Sequence, residues 1–205
     1  MGNPKKIGLF FGSFNPIHNG HLMIANWIVE FGGVDQVWFV VSPLNPFKKG
    51  QSLLADYHRI ELANRAVADD PRFRVSTIET KLPQPSYTID TLTYLADQFP
   101  EYLFSLIMGE DQLPNFNRWK NHEQILAHYK ILVYPRPNVY DRITAVGENS
   151  PGHKLLKHPT VKKVAAPMME ISSTFIRQAI RDGKDVRFFL PQSVWEYIDE
   201  MNFYR

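Results

Sequence analysis

The chain has 205 residues, 44% hydrophobic and 21% charged, which suits one α/β domain with a substantial buried core and excludes a disordered chain. Lys and Arg number 23 against 21 Asp and Glu, a formal charge of +2 that is too even for a general nucleic-acid binder yet sufficient for a small anionic ligand. The lack of cysteine removes disulfides, thiolate chemistry and cysteine-ligated zinc, and no run approaches the roughly 18 apolar residues of a membrane span, so a soluble, cytoplasmic protein is expected.

The first apolar run, Ile7-Gly8-Leu9-Phe10-Phe11, reads as a buried parallel strand, and the segment GSFNPIHNGH, Gly12 to His21, follows it directly. A helix beginning near Asn19 or Gly20, with Leu22, Ala25, Ile28 and Val29 on one face, offers unpaired N–H groups and a positive dipole end where His18 and His21 stand. Two imidazoles there suit phosphate oxygens better than zinc. Helical zinc pairs usually stand four apart and need a third ligand, which the sequence does not identify.

Val37–Val41 is the second strand, and the proline-bearing loop Ser42–Gly50 that leaves it carries Lys48 and Lys49 over the same sheet edge. Ile60, Ala63 and Val67 mark a helix, Phe73–Ser76 a third strand, and Lys81–Tyr87 a loop. The next helix starts at Thr88 and presents Ile89, Leu92, Leu95 and Ala96, so amides about Tyr87 and Thr88 are placed to receive a carboxylate. Leu103–Met108, Ile131–Tyr134 and Val161–Ala165 complete the strands, with Trp119 offering a flat face for a cationic ring and Pro135–Pro159 reading as the longest loop. Ile171 to Arg177 opens a helix that stops near Gly183, and another runs from Pro191 to Met201.

The alternation of strands and helices predicts a doubly wound, mostly parallel Rossmann-like sheet in a single domain, residues 1–205, with 171–205 as a small helical annex. Ligands then bind beyond the carboxyl ends of the strands where the order reverses, at the loops after Phe11, Val41 and Met108. Helix capping alone accounts for Ser172, Ser173 and Thr174, and solvation for the lysines. A second helix N-terminus with Arg177 one turn along nevertheless complements GSFNPIHNGH as the far grip on a triphosphate. The remaining histidines, at 58, 122, 128, 153 and 158, fall outside these motifs.

GSFNPIHNGH and ISSTFIR match, in order, the GxFxPxHxGH and ISSTxIR signatures of the T/H-x-G-H nucleotidylyltransferases. Pro85 to Leu92, PSYTIDTL, resembles the SYT-x-x-TL segment of one branch, and Gly109-Glu110-Asp111 with Phe116 and Trp119 resembles its GxD…FxxW segment; Tyr134-Pro135-Arg136-Pro137 resembles its RP loop. From strand one to the carboxyl terminus the chain thus resembles the bacterial nicotinate-nucleotide adenylyltransferases. The resemblance implies transfer of AMP from ATP to nicotinate mononucleotide, with release of pyrophosphate, in NAD biosynthesis. It implies Mg²⁺ carried on the ATP phosphates, no protein metal site, no nucleic-acid or membrane partner, and leaves a homo-oligomer open.

By the same resemblance Gly12, Ser13, Phe14, His18, Gly20, His21, Gly109, Asp111, Ile171, Ser172, Ser173, Thr174 and Arg177 bind ATP. Ser13, Phe14, Lys48, Tyr87, Thr88, Trp119 and Arg136 bind the mononucleotide, and His18, His21, Lys48 and Arg177 act in catalysis. The chain departs from the family's PPHK-like loop, reading Asn45-Pro46-Phe47-Lys48, so the choice between Lys48 and Lys49 as phosphate ligand stays open. Acceptors of the amide or phosphopantetheine type and a non-catalytic nucleotide sensor are the alternatives. Phosphopantetheine enzymes lack the middle signature, and intact His18, His21 and Arg177 argue against a sensor.

Overall fold

A computed structural model describes residues 3–43, 53–136 and 150–205. Six strands form one sheet: β1 (Lys5–Gly12), β2 (Gln36–Val41), β3 (Phe73–Ser76), β4 (Tyr102–Gly109), β5 (Lys130–Tyr134) and β6 (Val161–Lys163). Their spatial order is β3-β2-β1-β4-β5-β6, and every pairing is parallel. The order reverses between β1 and β4, where Phe10 stands opposite Ile107. Gly12, Val41, Gly109 and Tyr134 end their strands along one edge, so four loops meet there.

The strands read as unbroken apolar runs because both faces are covered. Phe10, Phe39, Val41 and Ile107 face one core, shared with α1 (Asn19–Trp27) and α2 (Asp56–Val67). Leu9, Trp38, Val40, Leu106 and Val133 face the other, under α3 (Thr88–Gln98), α4 (His122–His128) and α5 (Pro151–Leu156). Each large side chain buried in these cores contributes about 1.5–3 kcal/mol. The last helices, α6 (Ser173–Arg181) and α7 (Gln192–Glu200), feed Ile176, Ile180, Val194 and Ile198 into the first core. Helix α7 lies on α2, where the Ser193 hydroxyl donates to the Arg65 carbonyl at 3.0 Å.

Two local departures from the sequence expectations have plain causes. Residues 150–156, expected as loop, start a short helix because the Ser150 hydroxyl accepts from the His153 N–H and Pro151 occupies the first turn. The segment Glu110–Arg118 winds as a 3₁₀ helix containing Pro114, which lacks the N–H an α-helix would need there. No helix among the described residues is long and apolar enough to cross a membrane.

Candidate active site

The turn after β1 is built tightly around an aromatic plug. Phe14 adopts a left-handed backbone, φ 45°, and buries its ring among Phe10, Phe39 and the His21 imidazole. Gly12 is required by close approach, for a Cβ there would stand 2.8 Å from the Phe14 ring. The turn then passes Asn15 and Pro16, both buried, to His18, which takes the N-cap position of α1 in extended conformation.

His18 and His21 stack with ring centroids 3.7 Å apart and planes inclined by 26°. The His18 N–H donates to His21 Nδ1 at 3.2 Å, so a neutral His21 carries its proton on Nε2. His18 is 3% exposed, and its Nδ1 has no partner among the described residues. Burial, aided by the nearby Arg136 charge, lowers the His18 pKa to about 3. Burial therefore favours a neutral His18 imidazole, stacked on His21 at the start of α1.

That depression makes stability pH-dependent. Because the unfolded chain takes up a proton near pH 6.5 and folded His18 does not until about 3, its contribution is full above pH 6.5 and is lost as pH falls towards 3. The loss is on the order of 5 kcal/mol. Chemical denaturation of wild type and His18→Gln from pH 7 to pH 4 should show the variant losing distinctly less stability; parallel pH profiles would contradict this assignment.

Helix α6 docks against the turn. The Ser172 hydroxyl caps it by accepting from the Phe175 N–H, the Ser173 hydroxyl donates to the Pro16 carbonyl at 2.8 Å, and Ile171 faces Gly20 at the start of α1. Arg177 is 9% exposed; its Nη1 donates to the Asn15 carbonyl at 2.7 Å and its Nη2 to Thr174 Oγ1. Burial lowers its pKa from the usual arginine value. Arg177 thus braces the turn that it was expected to complement. Two helix N-termini nevertheless stand side by side at the histidine pair.

Across the β1–β4 switch, Gly109 ends β4 and Asp111 stands exposed at the rim. Arg136, after β5, lies 3.6 Å from Asp111 Oδ1 and stacks over the Tyr134 ring, near enough for its charge to act on His18. Tyr87 caps α3, Thr88 is its first residue, and half-buried Trp119 packs on Phe116. Lys120, next to Trp119, lies over the Tyr87 ring and pairs with Asp90, so these acceptor elements share one neighbourhood. Lys48 and Lys49 lie outside the described residues.

Residues that the motifs did not single out hold this arrangement together. Asn15 Oδ1 accepts from the Tyr204 hydroxyl at 2.8 Å and from the Leu54 N–H, tying the turn to the last residues of the chain. Burial raises the Tyr204 pKa and keeps the phenol a donor. Arg59 of α2 is wholly buried, although the apolar positions Leu62 and Ala63, three and four further on, marked its face of the helix as the core-facing one.

Residues 9–179 match the cytidylyltransferase-like family model. A probable nicotinate-nucleotide adenylyltransferase of Cytophaga hutchinsonii is 50% identical over 97% of this chain and 98% of its own length. One from Flavobacterium psychrophilum is 51% identical over 98% and 99%. Among solved structures, the nicotinic acid mononucleotide adenylyltransferase of Plasmodium falciparum complexed with NaAD shares the fold, with a TM-score of 0.74 and 19% identity over 98% of this chain and 97% of that one.

Proposed function

The chain belongs to the cytidylyltransferase-like family, among its nicotinate-nucleotide adenylyltransferases, and from that premise we propose how its residues divide the work. It is a nucleotidyltransferase that moves AMP from ATP to nicotinate mononucleotide, forming nicotinate adenine dinucleotide and pyrophosphate in NAD biosynthesis. The observation that carries the division of labour is the docking of α6 on the β1–α1 turn, which sets two helix N-termini beside the stacked His18 and His21.

An oxygen of the mononucleotide 5′-phosphate attacks the α-phosphorus in line, a new P–O bond forms, and the bond to the bridging oxygen breaks as pyrophosphate leaves with the electron pair. Attacking and leaving groups are both anionic, so no proton need move and no protein nucleophile is required. The His21 Nε2–H donates to a non-bridging α-phosphate oxygen, where negative charge is held in the transition state. His18, with its open Nδ1, serves the same phosphate. Ser172–Thr174 present amides to the β and γ phosphates, Arg177 and Lys48 add cations to them, and Arg177 and Ser173 also hold the turn to α6. Gly12, Ser13 and Phe14 line the cleft, and Gly109 and Asp111 face the adenosine ribose.

Among the described residues no three His, Asp or Glu side chains gather as a metal cage. Mg²⁺ would be carried by the phosphate oxygens of ATP, where it would neutralise charge on the triphosphate. The Tyr87–Thr88 amides receive the nicotinate carboxylate, and Trp119 stacks on the cationic pyridinium ring with Arg136 nearby.

The test supplies ATP and Mg²⁺ with nicotinate mononucleotide, its amide or phosphopantetheine in parallel and identifies the products. Nicotinate adenine dinucleotide and pyrophosphate should dominate; activity with phosphopantetheine alone would overturn the reading. In the same assay Trp119→Ala should raise KM for the mononucleotide by roughly five- to thirtyfold and leave KM for ATP little changed. Equal effects on both would make Trp119 a purely structural residue.

A further inference from the structure

Ser42, the first residue after β2, is held through both of its backbone polar groups. Its N–H donates to the Gly12 carbonyl at 2.9 Å, its carbonyl accepts from Arg59 Nη1 at 2.9 Å, and its hydroxyl stands near enough to the Glu79 carboxylate to favour its charged form. On one side, the same Arg59 Nη1 donates to the Ser13 carbonyl at 2.5 Å, inside the phosphate-binding turn. The Ser13–Phe14 peptide is planar, so a carbonyl turned to Arg59 turns the Phe14 N–H the opposite way, out of the buried cluster. The remaining Arg59 donors reach the carbonyls of Pro43 and Leu54 and the Asp56 carboxylate, which accounts for all five.

On the other side stands Glu79, 3% exposed. Thr91 Oγ1 donates to its carboxylate at 3.0 Å, and burial raises the Glu79 pKa against the opposing pull of the Ser42, Thr91 and Ser86 hydroxyls around it. Thr91 lies in the first turn of α3, and Ser86 directly precedes Tyr87. The Gln84 amide returns to the Glu79 carbonyl at 2.6 Å, fixing the segment that leads into the helix. A chain of polar contacts therefore runs from the turn that holds ATP to the helix N-terminus that receives the mononucleotide. Neither Arg59, Ser42 nor Glu79 belongs to the motifs.

Resting on the adenylyl transfer described above, we propose that Arg59, Ser42 and Glu79 are positioning residues that set the distance and alignment between the two substrates. Each substrate binds largely to its own element, while the relay fixes one element against the other. Its loss should therefore reduce the rate of the bound complex more than the affinity for either partner.

Arg59 itself is a poor place to test this, because its removal threatens the fold; Ser42 and Glu79 allow smaller cuts. In the full-length chain, Ser42→Ala and Glu79→Gln should each lower kcat by about ten- to a hundredfold with both KM values little changed. Ser42→Thr, which keeps the hydroxyl, should restore turnover. The double variant should be no worse than the weaker single one, since both cut the same chain. Amide hydrogen exchange gives a reading that needs no turnover: in Ser42→Ala, Phe14 and Thr88 should exchange faster together. Intact kcat with only a lower melting temperature, a rise confined to KM, additive losses, or faster exchange on one side alone would each overturn the relay. Wild type that makes no dinucleotide would instead overturn the reading of the reaction, and the exchange result would still decide the relay.

Discussion

His21→Ala lowers kcat by on the order of a hundredfold or more while ATP still binds, because the lost Nε2–H is a donor preorganised for the charged α-phosphate. The preorganisation has visible sources. Nδ1 is engaged by the His18 N–H, one ring face stacks on His18, and the edges meet Phe10 and Phe14, so the ring has little freedom to turn. His21→Gln should recover part of the loss, since an amide can donate from a similar position but without the same packing. The check is single-turnover formation of the dinucleotide alongside direct titration of ATP binding. Near-normal turnover in His21→Ala would remove the histidine from the chemistry.

Arg59→Met should cost about 3–5 kcal/mol of folding stability, the range for breaking a buried charged network. The methionine keeps much of the side-chain length yet leaves the carbonyls of Ser13, Ser42, Pro43 and Leu54 without their donor, and a buried acceptor left unmet costs about 1–3 kcal/mol. The Asp56 pairing adds little, as that carboxylate is 44% exposed. Arg59→Lys should fall between the two, since an ammonium has three donors and lacks the planar fork. Urea denaturation at pH 7 gives the values. A loss below about 1 kcal/mol for Arg59→Met, the worth of an ordinary hydrogen bond, would show that water or a shifted backbone satisfies these carbonyls instead.

What the sequence made legible follows from periodicity and from caps. Leu9 and Phe10 enter opposite cores, so both faces of β1 had to be apolar and the run could be read as a covered parallel strand. Ser172 and Gly183 bracket α6 as N-cap and left-handed stop, φ 67°, for reasons that side-chain chemistry states openly. GSFNPIHNGH likewise announced a tight strand-to-helix turn through its glycines, with both histidines at the start of α1. By contrast, the second use of Arg177 depends on which carbonyl faces it across a distance of 162 positions, and no local pattern encodes that.

Glu79 illustrates the same limit. Between Ile78 and Thr80 it reads as a solvated charge, and only the folded chain brings Ser42, Ser86 and Thr91 around it. Arg59 was readable in part, as a cation on the apolar face of its helix. Its partners were not, because four of the five are backbone carbonyls, which carry no residue identity. Arg177 and Arg59 bond to backbone carbonyls and Glu79 to hydroxyls distant in sequence, and neither kind of partner leaves a local pattern.

Central to the mechanism is direct, in-line transfer at the α-phosphorus, with charge held by the His18 and His21 imidazoles and no enzyme-bound adenylate. The stereochemical course of the reaction tests this most directly. With ATP carrying sulfur at one defined non-bridging position of the α-phosphate, the configuration of the dinucleotide product can be read by ³¹P NMR. A single displacement predicts inversion at phosphorus; retention would require two displacements through a covalent intermediate and would contradict the mechanism.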